Sequence, residues 1–182
     1  MLKWGELQLN KGLEKSVDLD LLREAIVRNK MDTVESMLEE IGRNKLKEAI
    51  PLLIEYLKST DSNILRNSIA ITLSDIGSEE AIEPLIDMIN HPKTLGARGT
   101  LLYALKPFDC SRHLETLVFH LITGNFEVQA EAYQLIEAMN SEVSDEILLK
   151  SILKVKDALN EIERQHQIIS DTLEKLFSLK KI

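Results

Sequence analysis

A single cysteine, Cys110, in 182 residues excludes an internal disulfide framework and a Cys-rich zinc site. Glycine and proline are scarce, seven and four, roughly half the ~12% of an average chain. Few breakers mean few turns, which favours long helices over many short strands. Aromatic side chains make up only 4%, so the core must be aliphatic. No stretch approaches the ~20 apolar residues of a membrane span. The opening MLKWGELQLN lacks the apolar core and cleavage site of a secretory leader, so a cytoplasmic location is expected. No Gly-rich phosphate loop, no Gly-x-Ser-x-Gly and no paired metal-type histidines occur.

What is present is ordinary for a soluble globular chain: 44% hydrophobic and 29% charged residues. The length is a prior for a single domain spanning 1–182. The charge is uneven. Residues 1–47 carry 9 basic and 9 acidic side chains, and residues 143–182 carry 7 of each. Residues 48–142 carry 6 basic and 14 acidic ones, so the whole net charge of −8 lies there. Such a field repels nucleic acid, whose phosphates require clustered Lys and Arg. It draws in a basic protein surface, or else it only maintains solubility.

Three segments repeat at a step of 32 residues: Ala49–Leu57, Ala81–Ile89 and Leu114–Leu121. Ile50, Ile82 and Leu114 correspond, as do Leu53, Leu85 and Leu117, then Ile54, Ile86 and Val118, then Leu57, Ile89 and Leu121. Apolar residues at i, i+3, i+4 and i+7 form the stripe of a half-buried helix. Each copy breaks at turn and N-cap residues (Ser59–Asn63, Asn90–Thr94, Thr123–Asn125) before a second helix. These second helices are expected over Ile64–Ile76, Leu95–Leu105 and Glu127–Met139, with Gly77 as a stop for the first. A weaker copy precedes them within 1–47, with Leu19, Leu21, Leu22, Ala25 and Ile26 as one apolar face, Val34, Met37, Leu38 and Ile41 as the next, and Gly42 closing it. Stacked pairs shelter each other's apolar stripes, which no pair can do alone. The fold class expected is therefore all-α, a short right-curving α-solenoid of about four helix pairs.

Gly77-Ser78-Glu79-Glu80-Ala81-Ile82-Glu83-Pro84-Leu85-Ile86 resembles the inter-repeat turn and first helix of HEAT repeats, including the short bacterial kind seen in phycobilisome lyase-like proteins. Leu65-Arg66 resembles that family's start of a second helix, and Arg98 lies 32 residues on. The third copy has Gln129 and Ala130 there instead, which leaves its register open by one residue. The resemblance covers about residues 48–140 and implies that Arg66 and Arg98 bond neighbouring repeats. A fainter resemblance, carried by Arg98–Leu105, Phe108–Ser111 and Gly124–Val128, is to HEAT-like immunity proteins of bacterial toxin systems. It implies a cytoplasmic inhibitor with no catalysis of its own that binds and blocks a cognate toxin. The acidic middle of the chain fits a basic toxin domain, such as a nuclease, because acidic side chains can occupy a phosphate-binding site. The other functional reading is a scaffold, chaperone or lyase-type assembly subunit.

Residues 143–182 contain no Gly or Pro, and Ser144 offers an N-cap. Ile152, Val155, Leu159, Ile162, His166, Ile169, Leu173 and Leu176 alternate 3-4-3-4, a coiled-coil-like seam. One helix, or a pair broken near Asn160, is expected to cap the last repeat; the alternative is a homodimer seam or a helix offered to a partner. Cys110, His113 and His120 would need an orienting third group in one pocket to act as a nucleophile site, so neither an enzyme nor a cofactor or metal site is expected there. Partner binding is expected on the outward positions of the second helices: Asn67, Ile71 and Asp75, then Thr100 and Tyr103, then Glu131 and Gln134. Tyr103 is the leading hot-spot candidate because it brings large area at low entropy cost.

Overall fold

Aliphatic side chains at helical spacing, with few breakers between them, commit most of the chain to helix; no strand occurs among the described residues. A computed structural model describes residues 17–180, so residues 1–16 of the expected N-terminal repeat and residues 181–182 lie outside it. The chain divides after Ala81 into two compact units.

The first unit holds α1 (Leu19–Val27), α2 (Met31–Asn44), α3 (Ile50–Ser59) and α4 (Asn63–Ile76). Asp18 caps α1, its carboxylate accepting from the amides of Asp20 and Leu21 at 3.1 and 3.0 Å. Ser62 caps α4 through the Leu65 amide at 3.2 Å. Helix α1 packs on α2, α3 on α4, and α2 on α4. Their shared interior is Leu22, Val34, Leu38, Ile41, Ile50, Leu53, Leu57, Ile69 and Leu73, all buried. Of the apolar face expected on α1, Leu21 is exposed instead, since helical phase turns it away from the side shared by Leu22 and Ala25. Gly77 ends α4 in the left-handed region, φ 72°, as expected.

Gly42 does not end α2. The helix continues to Asn44, and Lys45 takes the left-handed cap at φ 53°. The glycine serves close approach instead: a Cβ there would lie 3.1 Å from the Cβ and Oδ2 of Asp75 on α4. One turn away the Thr72 hydroxyl reaches the Leu38 carbonyl at 3.5 Å. A residue lacking a side chain is what lets these two second helices touch.

The second unit holds α5 (Ile82–Asn90), α6 (Arg98–Tyr103), α7 (Leu114–Thr123), α8 (Phe126–Glu137) and α9 (Asp145–Leu179). Helix α5 packs on α6, α6 on α8, α7 on α8 and α7 on α9. Helix α6 is shorter than the expected Leu95–Leu105. Pro92–Thr94 form a 3-10 turn, and Gly96 at φ 90° cannot continue a right-handed helix. Beyond Tyr103, Pro107 lacks the amide another turn would need.

Asn125 caps α8 through the Val128 amide at 3.0 Å, as Ser62 caps α4. Counting from these caps, Gln129 is the counterpart of Arg66, because the connection into α8 is one residue shorter than that into α4. Residues 145–179 form a single helix that passes Asn160 unbroken. Its first half lies along α7, with Ser151 buried and Ile147, Val155 and Ala158 half-buried. Lys154 pairs with Glu115 of α7 at 3.1 Å.

The repeated arginines also depart from expectation. Arg66 is buried, and its guanidinium donates to the Thr60 carbonyl and to Asn63 Oδ1. Arg98 donates to the His91 carbonyl at 3.4 Å. Both reach back to the loop that precedes their own helix. They secure the turn inside a pair by donating to one of its backbone carbonyls.

Candidate partner-binding surface

In the first unit the candidate positions lie on α4, where Ile69, Leu73 and Ile76 are buried as expected. Asp75 is exposed at the edge of the α2–α4 contact, while Asn67 and Ile71 are half-buried. The Asn67 amide oxygen is buried with no hydrogen-bond partner among the described residues. Glu79 and Glu80 follow in an exposed 3-10 turn. Asp75, Glu79 and Glu80 are thus three exposed carboxylates within six residues of the chain.

In the second unit Tyr103 is exposed at the end of α6, and Thr100 beneath it is half-buried. Helix α8 presents Gln134 outward. Glu131 is not the free surface carboxylate that its helical position suggests. Its side chain is 18% exposed, and its Oε2 lies 2.8 Å from Lys106 Nζ. The same ammonium sits 4.3 Å from the Tyr103 ring centroid, a cation–π contact. Two candidate residues from different helices are therefore joined through a lysine that helical periodicity could not identify, because Lys106 lies in the turn after α6. Glu83 on α5 points toward His113, with Oε1 and Nε2 3.2 Å apart.

Exposed apolar side chains accompany these polar ones. Phe126 is 87% exposed at the start of α8. Tyr133, also exposed, donates to Glu137 Oε1 at 3.0 Å. Helical phase could have found both, since they lie opposite the stripe of Val128, Ala132 and Leu135. Tyr103 and Tyr133 each expose a large aromatic face with a polar hydroxyl, whereas Phe126 exposes an apolar ring alone.

Cys110 is buried, which pushes its thiol up to about 11, so it is protonated at neutral pH and a poor nucleophile. Its Sγ faces the Leu105 carbonyl at 3.9 Å. His120 is also buried, with Nε2 3.0 Å from Asn90 Oδ1; desolvation, aided by Arg98, pulls it down to about 4 and keeps it neutral. Asp109 accepts from the Ser111 amide at 3.0 Å in the turn before α7. Hydrogen bonds from Ser111 and Ser141 hold it at about 2. A cavity of about 250 Å³ beside it is lined by Pro107, Asp109, Cys110, Leu135 and Met139. Among the described residues no cluster of three metal-ligating side chains occurs, and no helix is long and apolar enough to cross a membrane.

Residues 19–106 match the family of HEAT repeats. The match begins with the pair α1–α2, which the sequence motifs marked only faintly, and ends at Lys106. Helices α7 and α8 lie beyond it, yet repeat its stripe of buried Leu114, Leu117 and Val118. No curated protein and no solved structure matches the chain. Matched segment and helix pairing agree: residues 19–106 are similar to HEAT repeats, and the described residues form an all-α arrangement of HEAT-like helix pairs.

Proposed function

We propose that this chain is a non-catalytic protein-binding module whose partner presents a basic surface, and that it acts by covering that surface. HEAT repeats commonly mediate protein–protein interaction, which supports the general reading. The observation that carries the basic partner is the confinement of the whole net charge of −8 to residues 48–142. Within that span Asp75, Glu79, Glu80 and Glu83 are exposed. An acidic helical surface steers a basic partner and can occupy a site built for phosphate. In its most specific form the partner is a toxin domain, a nuclease among the candidates, that is inactive while bound, and the chain works in the cytoplasm.

Co-expression with the product of the adjacent reading frame tests this directly. An immunity role requires co-purification, retention that weakens as salt rises, and loss of the partner's activity in the complex. Retention with full partner activity would instead fit an assembly scaffold, to which the same exposed helices are suited. A complex indifferent to salt and to Asp75→Lys would reject the electrostatic mechanism. Self-association through α9 would be independent of this surface.

A further inference from the structure

Helix α9 outruns the body it packs against. At 100° per residue, Ile147, Ser151, Val155 and Ala158 share the flank that lies along α7. The same flank continues as Leu159, Ile162, His166, Ile169, Leu173 and Leu176, and every one of these is exposed. Residues 159–179 extend the helix by roughly 31 Å with an apolar stripe that no other helix among the described residues covers.

We infer that a second copy of this chain covers the stripe, through antiparallel pairing of the two α9 helices. The area is sufficient. Leu159, Ile162, Ile169, Leu173, Leu176, Phe177 and Leu179 are each 52–68% exposed. At roughly 100 Å² of apolar surface apiece, two copies would remove about 1,400 Å² from water, within the ~1,200–2,000 Å² of specific interfaces.

The register is self-complementary. Antiparallel alignment sets Leu159 opposite Leu176 of the second copy, Ile162 opposite Leu173, and His166 opposite Ile169, so every layer holds at least one aliphatic side chain. On the positions flanking the seam only Lys156 and Glu163 are charged. They meet Phe177 and Ser170 of the other copy, so no like charges face each other. Parallel pairing is excluded by two features. It would stack His166 on its own counterpart, and it would place residues 145–158 of the second copy on the flank that α7 already occupies.

Sedimentation equilibrium of the full chain over the micromolar range tests the pairing. A dimer is expected, becoming a monomer in Ile162→Glu/Leu173→Glu, which alters only the projecting half of α9 and leaves helix content unchanged. His166→Leu removes the seam's one polar group and should tighten the dimer by about tenfold. Leu159→Cys alone should not cross-link on oxidation, since the two sites lie roughly 26 Å apart along the pair. A mixture of Leu159→Cys and Leu176→Cys chains should. A monomer throughout, a dimer indifferent to the Glu substitutions, or cross-linking of Leu159→Cys to itself would each overturn the proposal.

Discussion

Lys106 Nζ lies 2.8 Å from Glu131 Oε2 and 4.3 Å from the centre of the Tyr103 ring. One ammonium thus joins the end of α6 to α8, neutralises a carboxylate that is 18% exposed, and fixes the aromatic face most suited to docking. Lys106→Met should cost about 1–3 kcal/mol by leaving Glu131 half-buried and unpaired. Adding Glu131→Gln should recover part of that loss. Denaturant titration of the two single variants and the double one measures the coupling. Strictly additive losses would mean the pair is a surface contact of no consequence.

The buried His120 makes stability depend on pH. Its folded value of about 4 lies below the ordinary 6.5, so the unfolded chain binds the extra proton first. Stability is therefore full above about 6.5 and falls as pH drops toward 4, by on the order of 3 kcal/mol from this group. His120→Gln keeps an amide to pair with Asn90 and has no proton to gain. Thermal melts between pH 7 and 4 should show a shallower decline for that variant than for the parent chain. Parallel declines would assign the pH dependence to other groups.

Two glycines of the second unit should respond oppositely to alanine. A Cβ at Gly124 would lie 2.6 Å from the His120 carbonyl oxygen and 2.4 Å from Val128 Cγ1, both held by packed helices. Gly124→Ala should cost about 1–3 kcal/mol. At Gly99 the nearest atoms belong to the side chain of Glu127, an exposed residue that can swing aside. Gly99→Ala adds a better helix former to α6, and its effect should lie between neutral and about 1 kcal/mol stabilising. Chemical denaturation of both variants checks the contrast.

The helix pairs could be read from sequence because their signal is periodic: the stripe Ile50, Leu53 and Leu57 recurs at Leu85 and Ile89 and at Leu114 and Leu117, and all of these are buried. Caps that act through their own side chains, Ser62 and Asn125, were equally visible. What escaped depends on neighbours distant in the chain. Gly42 resembles a helix stop, yet its role is set by Asp75 on another helix. Lys45 adopts a left-handed conformation that its residue type does not advertise. Lys106 and Glu131 are 25 positions apart, one in a turn, so no periodicity links them. Of the candidate surface, exposure of Asp75, Tyr103 and Gln134 followed from helical phase, whereas the pairing of Glu131 did not.

The most direct test of acidic steering is the association rate of this chain with its captured partner as a function of ionic strength. Rates should fall steeply with added salt, and Asp75→Lys with Glu79→Lys and Glu80→Lys should lower them about tenfold or more at low salt while leaving dissociation nearly unchanged. Association that is flat in salt and unaltered by the triple substitution would contradict it.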